Sequence, residues 1–117
     1  AIQSDVWAVR RAVLQLIEVI ASETSIHLSS ELLSTLLQAV QRGAEDSKFT
    51  KVRLAAYTAL HAFLLNEGKS TQLRDSPDHA DVVRHIVQVA AVETDAKLLE
   101  RGQVLQKRWL EMLPAAK

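Results

Sequence analysis

The sequence predicts an all-α fold built from repeated helix pairs. Its 117 residues are 48% hydrophobic but include only three glycines and two prolines, a balance typical of long helices with short connections. The segment around Val9-Arg10 is similar to the segment around Val52-Arg53, which lies 43 residues further along the chain. This spacing falls within the roughly 40–47 residues of two-helix solenoid repeats. We therefore expect a stacked helical array.

Apolar residues recur at three- and four-residue steps in five segments, so each segment is predicted to form a helix. The predicted helices span residues 5–21, 29–42, 46–66, 77–93 and 95–113. Gly43 follows the second helix and is suited to a left-handed C-terminal cap. The polar residues 69–75 predict a long loop, which ends at Ser76-Pro77, where serine caps the next helix and proline takes its first position.

The second and fourth predicted helices share one apolar pattern at a constant offset of 50 residues. The matched sets are Leu32, Leu33, Leu36, Leu37 and Val40, and Val82, Val83, Ile86, Val87 and Ala90. The fifth helix departs from the pattern, because aligning Leu98 with Phe49 places Gly102 where Arg53 stands. Residues 1–117 therefore form one domain of about five helices, or two and a half repeats. Because the first helix lacks a preceding partner, we expect a fragment of a longer solenoid.

The pattern Asp…Val-Arg-x-Ala resembles the HEAT-repeat family. The residues that carry the resemblance are Asp5…Val9-Arg10-Arg11-Ala12 and Asp46…Val52-Arg53-Leu54-Ala55. The resemblance covers nearly the whole chain and implies a right-handed, armadillo-like α-solenoid of antiparallel helix pairs. In that family the aspartate and the arginine typically make contacts between neighbouring repeats. The resemblance therefore implies a ladder of structural contacts between repeats, formed by Asp5, Arg10, Asp46 and Arg53. Asp95 and Arg101 fit the pattern poorly.

Composition excludes several classes of protein. Fourteen basic and fourteen acidic residues cancel, which argues against a dedicated nucleic-acid or anionic-membrane binder. Cysteine is absent, so disulfides and thiolate metal sites are excluded and a reducing compartment is favoured. No apolar run reaches the roughly 18 residues of a membrane span, and the N-terminus lacks the features of a secretory signal. We expect an intracellular protein, cytoplasmic or nuclear.

The sequence contains no catalytic motif. No glycine-rich phosphate loop and no Gly-x-Ser-x-Gly segment occurs, and the four histidines are scattered. The only constellation to weigh is His79, Asp81 and His85, in which Asp81 and His85 are four residues apart on one helix face. His79 points elsewhere, so a zinc site would need a donor from another element. We interpret this face as a solvated Asp–His pair and expect a non-enzymatic protein without metal or cofactor.

Basic residues near the starts of helices are the candidate binding residues. Lys48, Lys51 and Arg53 lie in or near a first helical turn, where the helix dipole disfavours cations. An aspartate of a neighbouring repeat or an acidic ligand can compensate the positive charges of these side chains. Trp7 either packs under a preceding helix or is an exposed contact anchor. The predicted partner-binding set is Trp7, Arg11, Lys48, Lys51, Arg53, Arg101, Lys107 and Arg108.

These observations favour a protein-interaction scaffold or adaptor, whose partner has an acidic surface. The remaining repeats of the parent protein, or a second copy, are expected to cover the exposed ends. One alternative is a nucleic-acid-binding module that uses the basic residues of the second helices, although Glu100 and Glu111 count against it. Another is a tubulin-binding TOG-like array, because Trp7-Ala8-Val9-Arg10 is similar to the Trp-x-x-Arg segment of those arrays.

Overall fold

A computed structural model describes residues 6–23, 28–46 and 48–112. Within these ranges the chain forms helices and no strands, so the all-α class is confirmed. The predicted count of about five helices is wrong, because the described residues alone form six. They are α1 (Val6–Ser22), α2 (Ser30–Ala44), α3 (Thr50–Leu65), α4 (Glu67–Asp75), α5 (Pro77–Ala91) and α6 (Ala96–Met112).

The additional helix is α4, which includes all of residues 69–75, the segment predicted to be a loop. The Asn66 side chain accepts a hydrogen bond from the Lys69 backbone N–H and caps the helix. The Lys69 ammonium donates to the carbonyl of Glu23, and the Gln72 amide donates to the carbonyl of Leu28 over 3.0 Å. Two carbonyls of the α1–α2 connection are therefore bound by α4. These tertiary contacts compensate for the absence of an apolar stripe in its sequence.

Polar side chains bind backbone N–H groups at the starts of α2, α3 and α6. At α5 the predicted Ser76 cap is wrong, because its side chain makes no capping hydrogen bond. The Ser29 hydroxyl accepts from the Leu32 N–H and caps α2. Asp46 accepts from two backbone N–H groups just before α3, and Asp95 accepts from the N–H groups of Lys97 and Leu98 in the first turn of α6. Such caps satisfy donors that have no partner within the helix.

The helices pack as two rows. In one row α1 packs on α3 and α3 packs on α6, and in the other α2 packs on α5. Contacts between α2 and α3 and between α5 and α6 join the rows, while α4 packs on α5 and α3. The Cα extents of 51 × 31 × 20 Å fit two helix layers, since packed helix axes lie about 8–10 Å apart. The largest side chains buried between the rows include Tyr57, Phe63, Leu33, Leu37 and Ile86.

Two glycines allow close contacts between helices. Gly43 is not a left-handed cap, because α2 continues to Ala44 and no described glycine has a positive φ angle. A Cβ at Gly43 would lie 2.7 Å from Cδ1 of Leu14 and 3.1 Å from Cβ of Ala56. A Cβ at Gly102 would collide with the backbone carbonyl of Ala90. Gly43 therefore brings α2 against α1 and α3, and Gly102 brings α6 against α5.

Candidate functional site

Arg10 and Asp46 form an ion pair that joins α1 to the α2–α3 connection. Nη1 of Arg10 lies 3.1 Å from Oδ2 of Asp46, and Oδ1 of Asp46 accepts from the backbone N–H groups of Lys48 and Phe49 over 2.9 Å. Burial acts to raise the pKa of Asp46, but these three hydrogen bonds outweigh it and the pKa lies below its ordinary value. Asp5, the fourth residue of the expected ladder, lies outside the described residues.

Arg53 makes a second connection of the same kind, to the segment between α5 and α6. Its Nε and Nη2 donate to the Glu93 carboxylate over 3.0 and 2.9 Å, and its Nη1 donates to the Asp46 carbonyl over 2.9 Å. The Tyr57 hydroxyl also donates to Glu93, over 2.9 Å. The group that compensates Arg53 is thus a glutamate from a later connection. Asp95, two residues further on, caps α6 instead.

The Arg53–Glu93–Tyr57 cluster is largely buried, with 13% of the Arg53 side chain and 6% of the Glu93 side chain exposed. Burial acts to raise the pKa of Glu93, but hydrogen bonds from Arg53 and Tyr57 outweigh it and lower the pKa. The hydrogen bond to Glu93 raises the pKa of Arg53. Burial, followed by the hydrogen bond to Glu93, raises the pKa of the Tyr57 hydroxyl. The carboxylate therefore stays ionised and the tyrosine stays protonated.

The predicted binding cations fall into separate groups. Lys48 and Lys51 are exposed at the start of α3 beside a shallow pocket of about 260 Å³ that Phe49 and Thr50 also line. The Lys48 ammonium lies 5.4 Å from the centroid of the Phe49 ring. Arg11 and Lys107 are exposed on α1 and α6, whereas Arg101 and Arg108 are half-buried on α6. The side chain of Trp7 lies outside the described part.

An open groove of about 460 Å³ lies among α1, α3 and α6, and we call it the α1–α3–α6 groove. Its lining residues are Glu18, Ser22, Thr58, His61, Ala62, Leu65, Asn66 and Arg101. The hydroxyls of Ser22 and Thr58 donate to carbonyls of their own helices over 2.9 Å. By contrast, the side chains of Glu18, His61 and Arg101 make no hydrogen bond with any described residue. The groove therefore presents three polar side chains that are free to bind a ligand.

His61 is uncharged near neutral pH. Burial lowers its pKa, and the charges of Arg101 and Arg108 lower it further. A neutral imidazole offers one N–H donor and one acceptor nitrogen. Nε of Arg108 donates to the Leu64 carbonyl over 3.1 Å, near the C-terminus of α3. Arg108 is thus anchored to the protein, while Arg101 keeps its hydrogen-bond donors available.

A broad apolar face of α1, here called the α1 arc, is largely uncovered by the described residues. The α1 arc consists of Val9, Ala12, Val13, Leu16, Val19 and Ile20. Val9, Leu16 and Val19 are 61%, 60% and 66% exposed. An open groove of about 460 Å³ runs beside the arc, between Val9 and Val13 on α1 and Ala39, Arg42 and Gly43 on α2.

The internal repeat shows how unusual this exposure is. At the offset of 43 residues, the arc corresponds to Val52, Ala55, Ala56, Ala59, Ala62 and Phe63 of α3. Among these residues, Val52, Ala56, Ala59 and Phe63 are completely buried. Gly43 of α2 lies against Ala56, and α3 packs on both α1 and α2. The same stripe is therefore covered by helices in one repeat and exposed in the other.

Comparisons with protein-family models, curated proteins and solved structures find no match. The HEAT-repeat family thus stays a prediction from the sequence motif. No described helix is both long and apolar enough to cross a membrane.

The expected Asp81–His85 pair is wrong. Nε2 of His85 lies 2.9 Å from Oε2 of Glu45, and Oδ1 of Asp81 accepts from Nη1 of Arg84 over 2.9 Å. His79 is buried, and its Nδ1 has no hydrogen-bond partner among the described residues. Across the described ranges, no group of three or more His, Asp or Glu side chains could hold a metal ion.

Sequence reasoning did not find the groove residues Glu18 and His61 or the cluster residue Glu93. Each is an isolated polar side chain on its own element, and the elements meet only in the tertiary structure. The sequence did offer one signal for Glu93. It lies in the polar connection before α6, two residues before Asp95, which is the counterpart of Asp46 before α3.

Proposed function

We propose that this chain is a non-enzymatic protein-interaction scaffold, a segment of a HEAT-like α-solenoid that binds other helices. The observation that carries the proposal is the exposed α1 arc. A contiguous apolar surface of this kind marks a protein–protein contact more often than a solvated face. Burying it against apolar side chains gains about 25 cal/mol for each Å² removed from water.

The composition of α1 supports burial on two sides. Leu14, Ile17 and Ala21 already pack into the core, while the arc forms a second apolar stripe beside them. Apart from Arg10, which pairs with Asp46, the polar side chains lie on one narrow strip of the helix, formed by Arg11, Gln15, Glu18 and Ser22. A helix that is apolar on most of its surface is suited to an interior position. In the proposed array, α1 is therefore an internal helix.

The geometry favours one occupant for the arc, a helix pair of the α1–α2 type from an adjoining repeat. Such a pair covers the corresponding stripe of α3 within this chain. The described outer face of α6 is less apolar than the arc, because its exposed residues include Glu100, Gln103 and Lys107 besides Val104 and Leu110. Head-to-tail stacking of two copies would therefore leave the arc poorly matched.

The ion pairs also support a stacked arrangement. Arg10 binds the connection before α3, and Arg53 binds the connection before α6, so equivalent arginines each reach forward to a later helix pair. On this proposal Arg53 is structural, because all three nitrogens of its guanidinium donate within the protein. This use of Arg53 weakens the nucleic-acid alternative, which needs the basic residues of the second helices for phosphate contacts.

Site-specific photo-crosslinking in cells tests the proposal. A benzophenone side chain replaces Leu16 in the arc or, as a control, the exposed Gln88 of α5. We expect crosslinks from position 16 to apolar residues of an α-helical segment, identified by mass spectrometry, and none of them from position 88. A Val13→Glu change in the same chain should remove the position-16 product. Identical products from both positions, or a product that survives Val13→Glu, would contradict the proposal.

A further inference from the structure

We propose that the α1–α3–α6 groove binds an extended peptide segment that carries an acidic side chain, whose carboxylate contacts Arg101. This site lies on the row formed by α1, α3 and α6 and is separate from the α1 arc. The two proposals use different residues and can fail independently.

The shape of the groove suits a short piece of polypeptide. Helices α1 and α6 both pack on α3, so α3 forms the floor and its two neighbours form the walls. Ala62 and Leu65 provide apolar surface on the floor, and Leu65 is 60% exposed. The volume of about 460 Å³ lies within the range of about 300–1,000 Å³ found for ligand sites. An open groove of this size can hold a few residues of an extended chain.

The positive charge of the groove favours an acidic side chain on the bound peptide. The half-buried Arg101 makes no hydrogen bond with a described residue, so its planar guanidinium can bind a carboxylate through two parallel hydrogen bonds. Arg108 adds a second positive charge close to His61. The neutral imidazole of His61 can donate to, or accept from, the backbone of the bound peptide. Partial burial makes such charge-assisted hydrogen bonds stronger than they are in open solvent.

The negative charge of Glu18 favours a peptide over a nucleic acid as the ligand of the groove. Its carboxylate lines the groove from the α1 side and has no partner among the described residues. A single carboxylate bound at Arg101 can avoid Glu18, and a peptide N–H or basic side chain can donate to it. A chain of phosphates would place negative charge near Glu18, and the zero net charge of the protein gives no compensating field. The groove therefore favours a peptide of mixed charge.

Selection from a random seven-residue phage library tests the proposal on the whole chain. The library is panned on the wild type, on Arg101→Gln and Arg101→Glu, and on the matched control Arg84→Gln, whose arginine is exposed on α5 and pairs with Asp81. We expect Asp or Glu to be enriched at one position on the wild type and the control. Arg101→Gln should lose this enrichment, and Arg101→Glu should select Lys or Arg instead.

Binding measurements on the best-enriched synthetic peptide complete the test. Its affinity should fall about tenfold in Arg101→Gln and stay unchanged in Arg84→Gln. Binding should also raise the pKa of His61, measured by NMR, because the carboxylate offsets the charges that lower it. Unchanged circular dichroism would show that the variants are folded. Absence of acidic enrichment on the wild type, its persistence in Arg101→Gln, or Arg101-dependent binding of a 12-nucleotide oligothymidylate in place of the peptide would overturn the proposal.

Discussion

At the scale of single residues, Glu93 connects α3 to the segment between α5 and α6. Glu93→Gln keeps the shape of the side chain but leaves the largely buried Arg53 side chain without a charged hydrogen-bond partner. Hydrogen bonds to charged groups contribute about 1.5–3 kcal/mol each, so we expect the free energy of unfolding to fall by about 1.5–3 kcal/mol. Urea denaturation followed by circular dichroism measures this change.

Asp81→Asn is the matched control for Glu93→Gln. It makes the same carboxylate-to-amide change in a pair with an arginine, but Asp81 and Arg84 are 67% and 57% exposed. Exposed ion pairs contribute at most about 1 kcal/mol, and often nothing measurable. Equal losses of stability in the two variants would show that burial does not strengthen the Glu93 contacts.

Glu93 and Asp46 also predict how stability depends on pH. In the folded protein both pKa values lie below their ordinary values of 4.5 and 3.8. The unfolded chain therefore binds these protons first, so the stabilisation is complete above about pH 4.5 and is lost as the pH falls through the folded pKa values. Urea midpoints between pH 3 and pH 7 should show a smaller acid-induced decrease in Glu93→Gln than in the wild type. Parallel curves would contradict this account.

At the scale of helices, Gly102 sets the distance between α5 and α6. Gly102→Ala places a methyl group against the Ala90 carbonyl, and a collision with backbone requires one helix to move. Although alanine favours helix formation by about 1 kcal/mol, overpacking typically costs about 1–3 kcal/mol. We expect net destabilisation, measured as a lower urea midpoint.

Gly68→Ala gives the opposite expectation within the same chain. Its new Cβ would meet only Oδ1 of Asn66, at 3.7 Å, near the exposed start of α4. We expect unchanged or increased stability, by up to about 1 kcal/mol, because alanine disfavours the unfolded chain relative to glycine. A loss of stability at this position comparable to that in Gly102→Ala would mean that helix contact is not the deciding factor.

The helices differ in how well the sequence predicts them. Five have an apolar stripe, and their observed bounds lie within about four residues of the predicted ones. In α4 the only large apolar residue is the buried Leu73, so no periodic pattern exists to be found. The helix forms because Asn66 caps it and because Lys69 and Gln72 find backbone acceptors in another part of the chain. Contacts between distant segments leave no local trace in the sequence.

At the scale of the whole molecule, the candidate site resembles α4 in that it forms only through contacts between distant segments of the chain. Three different helices carry the groove residues Glu18, His61 and Arg101. In the sequence, each residue on its own is typical of an ordinary solvated helix face. Only the packing of α1 and α6 on α3 brings them to one groove. The repeat, by contrast, can be predicted from the sequence, because the 43-residue offset between two apolar stripes is found by comparing residues alone and requires no tertiary contacts.

The repeat offset allows the same substitution to be compared at two equivalent positions. Leu16→Gln changes an exposed residue of the α1 arc, and leucine and glutamine have similar helix propensities, so we expect stability to change by less than about 0.5 kcal/mol. Ala59→Gln, 43 residues later, forces an amide into a completely buried site and should cost more than about 2 kcal/mol. Urea denaturation of both variants in dilute solution measures the difference. If the arc is instead covered within this chain, Leu16→Gln will be as destabilising as Ala59→Gln, and α1 will have no free face for an adjoining helix pair.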